Sequence, residues 1–220
     1  IQPVDEIFGI CKRANVLFHT DATQVYGKIA TQIQADFITL SAHKFGGPKG
    51  IGALVVNKEI PPLLKGGPQE RESRAGTTNV PSIIGFGEAA KIAQNNLISN
   101  NLQIEIERIC QKYGGRIIGD ETSRFPNTTC VVFENVPGDM IVASLDLQNI
   151  YISTGSACSS GSHKQSHVLA AMGHIASPIR ISYGPEYNDI PSEFLPLFEE
   201  ALKNAVELQA DDDDLDDWGL

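Results

Sequence analysis

Lys44 closes the tetrapeptide Ser41-Ala-His-Lys44, and a glycine-rich stretch from Gly46 to Gly52 follows it. The apolar run at residues 37–40 reads as a buried strand, and residues 53–56 read as a second one. Polar groups at the end of a buried strand, followed by glycines, mark a site. A lysine held among apolar strands can lose its proton near neutral pH, and its free amine can form a Schiff base with a carbonyl. Ser41, His43 and the backbone amides of the turn suit a phosphate. The combination points to pyridoxal phosphate (PLP). A solvated lysine after a strand has the same local pattern, so the rest of the chain must decide.

Two further residues have chemistry-bearing positions. Asp21 opens Asp21-Ala-Thr-Gln24 at the carboxyl end of a short strand expected at residues 16–20. Open α/β sheets carry ligands at the carboxyl ends of their strands, a rule that Asp21 and Lys44 satisfy together. Capping the following turn is the other reading of Asp21. Cys158 lies among Gly155, Ser156, Ser159, Ser160 and Gly161, a loop-like setting that exposes a thiol. The other cysteines, Cys11, Cys110 and Cys130, fall in apolar helical or strand patterns and read as inert core residues. No cysteine pair has metal-ligand or redox spacing, and no metal site is expected. His163 and His167 are candidate bases beside Cys158, or surface histidines. Arg71 and Arg74 can bind an anion, or pair with Glu70 and Glu72.

The elements that position these residues alternate in an α/β manner. A helix is expected at residues 3–14, with Ile7, Ile10, Cys11 and Ala14 as its buried stripe. The strand of Asp21 and the strand–turn–strand of Lys44 follow. A polar loop at residues 66–78 leads to a long helix at 81–113, with a break near Asn95-Asn96. Then come a strand at 128–133, a helix at 139–147, a strand at 150–153, the Cys158 loop, a short helix at 166–172, a strand at 178–182 and a closing helix at 192–208. The expected division is residues 1–95 as part of a large cofactor-binding domain, 96–210 as a small α+β domain, and 211–220 as a disordered acidic tail.

Composition narrows the function. The chain has 220 residues and a formal net charge of −10, with six aspartates between Asp211 and Asp217. No basic surface suggests nucleic acid. No apolar run is long enough to cross a membrane, and no signal peptide is visible. The cysteine usage suggests a reducing, cytoplasmic compartment. The first residue is Ile1 rather than Met, so an incomplete chain is expected.

Six segments in order carry a family resemblance: His19-Thr-Asp-Ala-Thr-Gln24, Ser41-Ala-His-Lys44, Arg74-Ala-Gly-Thr77, Ser153-Thr-Gly-Ser-Ala-Cys-Ser-Ser160, Ser166-His-Val-Leu-Ala-Ala-Met-Gly173 and Ile179-Arg-Ile-Ser-Tyr-Gly184. From Ile1 to about Leu208 the chain resembles the cysteine desulfurases, fold type I PLP enzymes of the aminotransferase class V group. The Gly-Ser-Ala-Cys-Ser loop is similar to the branch serving nitrogenase and iron–sulfur cluster assembly. The resemblance implies that Lys44 holds PLP covalently and moves the substrate α-proton. It implies that Asp21 pairs with the pyridinium nitrogen, Gln24 with the ring oxygen, and Ser41 and His43 with the phosphate. Thr77 would reach the phosphate of a partner subunit, which implies a homodimer. Arg180 would clamp the carboxylate of L-cysteine. Cys158 would take the sulfur as a persulfide, release alanine and pass the sulfur to an acceptor such as an iron–sulfur scaffold protein.

The resemblance also implies what precedes Ile1 in such enzymes: a phosphate-binding turn, a histidine stacked on the PLP ring and an asparagine near the ring oxygen. Activity is therefore expected within a longer or two-piece enzyme, with a separate amino-terminal half as a possible partner. The spacer between Met172 and Arg180 is short for the pattern, and the tail beyond Leu208 lies outside it. The alternatives are a non-catalytic remnant or binding module with the same fold, or a selenocysteine lyase or aminotransferase of the same family.

Overall fold

Charge at the two ends of the first helix and an alternation of short strands set the architecture of the amino-terminal part. The computed structural model describes residues 1–30, 32–155, 166–173 and 176–213, the last six of these as backbone only. Two compact units divide at residue 97, Ile1–Leu97 and Ile98–Leu220.

In the first unit, helix α1 (Val4–Arg13) has Asp5 and Glu6 in its first turn and Lys12 and Arg13 in its last, both favourable to the helix dipole. Asn15, at φ 55°, ends it. Its apolar stripe is not buried, against expectation: Ile10 is 57% exposed and no residue of α1 is buried. Strand β1 (His19–Asp21) starts later than the pattern suggests and ends on Asp21 itself. Strand β2 (Phe37–Ser41) runs parallel to β1, with Asp21 opposite Thr39. Strand β3 (Gly52–Val56) returns antiparallel, with Gly52 opposite Ser41. Only Phe37 of β2 is buried, and every residue of β3 is exposed, although both strands read as core from their composition. A strand is buried by what lies over it, and here the three-stranded sheet has little cover. Helix α2 (Val80–Asn95) starts on an Asn79 side-chain cap and buries Ala89 and Ala93.

The second unit has a conventional core. Helix α3 (Asn101–Lys112) is separated from α2 by residues 96–100, so the long apolar stretch forms two helices. Strands β4 (Arg116–Ile117), β5 (Thr128–Val132), β6 (Ser153–Thr154) and β7 (Pro178–Ser182) form an antiparallel sheet in the order β4-β5-β7-β6. Helices α4 (Gly138–Asp146), α5 (His167–Ala171) and α6 (Phe194–Asp213) complete the unit. Leu102, Ile106, Ile141, Leu145, Ile179, Phe198 and Leu202 meet in one cluster. Alternation along β7 supplies Ile179 and Ile181 to this core. Helix α6 continues through Asp213, into the aspartate run, because each added residue of a formed helix gains a backbone hydrogen bond. No helix among the described residues is long and apolar enough to cross a membrane.

Candidate active site

Parallel pairing of β1 and β2 brings their carboxyl ends to one edge of the sheet. Asp21 closes β1 and Ser41 closes β2. The chain then tightens into a 3-10 turn, Ala42–Phe45, which carries His43 and Lys44 and ends on Gly46 at φ 86°. Glycine is required there because a side chain is strained at that angle. Ser41 Oγ and His43 Nδ1 lie 2.9 Å apart in a hydrogen bond. A Cβ on Gly52 would fall 2.8 Å from the Leu40 carbonyl oxygen, so the turn closes on β3 only with glycine at that position.

Asp21 accepts a hydrogen bond from the Thr23 backbone N–H at 2.9 Å. That bond first, then the Thr23 side chain and the charge of His19, holds its carboxyl below the ordinary carboxylate range. His19 and Asp21 alternate onto one face of β1, and His19 Nε2 lies 2.8 Å from Thr39 Oγ1. Gln24 follows in a tight turn, and Lys28 Nζ donates to its Oε1 at 2.6 Å. Burial first, and then the charge of Lys44, lowers the pKa of Lys28. The rings of Tyr26 and Phe45, 5.0 Å apart, tie the Gln24–Lys28 segment to the turn of Lys44.

Asp21, Gln24, Ser41, His43 and Lys44 thus belong to one end of one small sheet. Thr77 lies exposed in the loop ahead of α2. Arg180 belongs to the second unit, in the middle of β7 opposite Cys130 and Ser153. Its Nε is buried with no hydrogen-bond partner among the described residues. Cys158 and His163 lie outside the described residues, and His167 opens α5 on the surface. Cys110 is buried as expected, whereas Cys11 and Cys130 are only half-buried, Cys130 opposite Arg180 in the β5–β7 pair. Among the described residues no cluster of His, Cys, Asp and Glu could hold a metal ion. A groove of about 490 Å³ lined by Val25, Ile29, Ile33 and Leu97 contains none of the candidate residues. Sequence reasoning assigned no role to Lys28 or His19. The i, i+4 spacing of Lys28 from Gln24 was the available signal for the first.

An ionised carboxylate, an amide, a hydroxyl–imidazole pair and a primary amine at one sheet edge are a donor set that fits PLP. Two parallel strands that deliver them at their carboxyl ends, followed by an antiparallel third, belong to an α/β architecture, the class in which ligands sit at the carboxyl ends of strands. The Aminotransferase class-V family model matches residues 1–189. The chain is 43% identical over 181 residues to a cysteine desulfurase of Cereibacter sphaeroides, covering 77% of this chain and 46% of that protein. It is 40% identical to "Cysteine desulfurase IscS" of Methanosarcina thermophila, covering 93% of this chain and 55% of the relative. The solved structure of a NifS-like protein from Rickettsia africae ESF-5 superposes with a TM-score of 0.74 at 32% identity, over 94% of this chain and 58% of that one. This chain belongs to the aminotransferase class-V family, whose cysteine desulfurase members depend on PLP. It spans about half the length of the curated relatives it matches.

Proposed function

We propose that the chain forms part of a cysteine desulfurase that converts L-cysteine to L-alanine and carries the released sulfur on Cys158. The observation that carries this reading is the convergence of Asp21, Gln24, Ser41, His43 and Lys44 at the carboxyl ends of β1 and β2, in a chain about 40% identical to cysteine desulfurases. With PLP bound, Asp21, kept ionised, would pair with its ring nitrogen. Gln24 would donate to the ring oxygen, and Ser41 and His43 would hold the phosphate. Lys44 would supply the amine that holds the cofactor and would carry the substrate's α-proton. PLP, when bound, supplies an electron sink that makes the substrate carbon–sulfur bond labile.

Arg180, whose buried Nε has no hydrogen-bond partner among the described residues, takes the substrate carboxylate through a charge-assisted hydrogen bond. The thiolate of Cys158 attacks the substrate sulfur. The carbon–sulfur bond breaks with its electron pair on the substrate carbon, which is protonated to alanine, and the sulfur stays on Cys158 as a persulfide. A thiolate of an acceptor protein of iron–sulfur cluster assembly in the cytoplasm then attacks the outer sulfur of the persulfide; the sulfur–sulfur bond breaks and Cys158 leaves as a thiolate. A further polypeptide covers the exposed apolar faces of β3 and α2, and Thr77 serves the phosphate of a partner subunit in a homodimer.

The test is to add PLP to the chain, alone and with a separately made amino-terminal half of a cysteine desulfurase, reduce with borohydride and map the labelled peptide. The label is expected on Lys44, and Cys158→Ala is expected to abolish alanine release while leaving the label. A label on another lysine, or full turnover in Cys158→Ala, overturns the reading.

A further inference from the structure

Lys28 has a place in this site that its exposure alone would not suggest. Its Nζ lies 2.6 Å from Gln24 Oε1. An ammonium has donors and no acceptor, so this contact assigns the amide: its oxygen faces Lys28 and its NH₂ is left to donate elsewhere. The spacing is set by a tight turn, in which the N–H groups of Val25 and Tyr26 donate to the Ala22 carbonyl and that of Lys28 donates to the Val25 carbonyl. The turn is anchored on both sides of Lys28's neighbour Gly27. Gln94 Nε2 donates to the Tyr26 hydroxyl at 3.0 Å. Gly27, at φ 75°, sits so close to α2 that a Cβ would fall 2.6 Å from that of Ala93. The stem of Lys28 is half-buried, and the charge of Lys44 acts on it. Among the described residues no carboxylate forms an ion pair with Lys28. Two ammonium groups kept near each other without an acid repel, unless an anion joins them.

We propose that Lys28 is a positioning residue of the cofactor site, holding the Gln24 amide with its NH₂ toward the anionic ring oxygen of PLP. The proposal rests on the reading of Gln24 as a cofactor contact. Lys28 acts through Gln24, and its charge adds to that of Lys44 in drawing the anionic cofactor to the sheet edge.

Two measurements test it. The first uses the chain without cofactor, labelled with ¹⁵N-glutamine. The Gln24 side-chain amide is expected to resonate apart from solvated glutamines. Lys28→Met should move it to their position, and Lys28→Arg, which keeps a donor-only cation, should leave it in place. An unchanged resonance in Lys28→Met overturns the proposal. The second uses the PLP concentration needed for half-maximal borohydride trapping on Lys44. Lys28→Met and Gln24→Ala are each expected to raise it by about tenfold, the scale of one charge-assisted contact. The double variant should be no worse than Gln24→Ala. Losses that multiply in the double variant, or no loss in Lys28→Met, overturn the role of Lys28 and leave the function reading standing. No loss in Gln24→Ala overturns the reading of Gln24 as a cofactor contact and the role of Lys28 with it.

Discussion

Cys110 shows how far surroundings, rather than residue type, decide what a thiol can do. It is fully buried, and burial first, then the nearby charge of Glu107, pushes its pKa to about 12 from an ordinary 9.0. Only the thiolate is a nucleophile, so Cys110 should resist an aromatic disulfide reagent at pH 8 until the unit around it unfolds. Rapid modification in the native chain would contradict its placement. The sign of the linkage is also fixed. The unfolded chain loses this proton near 9.0 and the folded chain only near 12, so the folded state binds the extra proton in between and stability falls as pH rises through that window. Asp21 is the opposite case. Its depressed carboxyl favours the folded state above the ordinary carboxylate range, and that contribution is lost as pH falls through the folded value.

Between elements, α2 packs closely against the glycine-rich loop and the turn that carries Lys44. A Cβ on Gly85 would fall 2.7 Å from Pro48 Cγ, and the rings of Phe45 and Phe86 lie 5.4 Å apart beside it. Gly85→Ala therefore sets two effects against each other. Alanine favours a helix interior by roughly 0.5–1 kcal/mol over glycine, while overpacking costs about 1–3 kcal/mol. The second should win, lowering the melting temperature of the first unit and the yield of Lys44 trapping. A rise in both would show that the loop yields easily. The strand ends were legible in the sequence because chemistry and punctuation coincide there: Asp21 and Lys44 each follow a short apolar run. Strand β7 was legible from alternation alone. Burial was not. The stripe of α1 and the faces of β3 have the composition of a core, yet what covers a face is not written in that face. Strand β4 has two residues, too few for any period, and the i, i+4 spacing of Lys28 from Gln24 falls in a turn, outside any helical pattern that would have singled it out.

Across the whole molecule the apolar core is divided unequally. The second unit assembles large side chains such as Phe198, Leu202 and Ile106, while among the described residues the buried apolar ones of the first are five alanines (Ala22, Ala35, Ala42, Ala89, Ala93) and Phe37. Burial of apolar area is the main favourable term in folding, so the two units should lose structure separately. Urea unfolding followed by tyrosine fluorescence and by amide hydrogen exchange is expected to open the first unit at lower denaturant. One coincident transition for all probes would show that they fold as a single body. The residues of this chain proposed to hold the cofactor, Asp21, Gln24, Ser41, His43 and Lys44, lie in the first unit. A ligand that binds only a folded state stabilises it by mass action, about 2.7 kcal/mol at a hundredfold excess over its Kd. Vitamin supply would then set how long one half of the chain survives proteolysis in the cell, and leave the lifetime of the other half untouched.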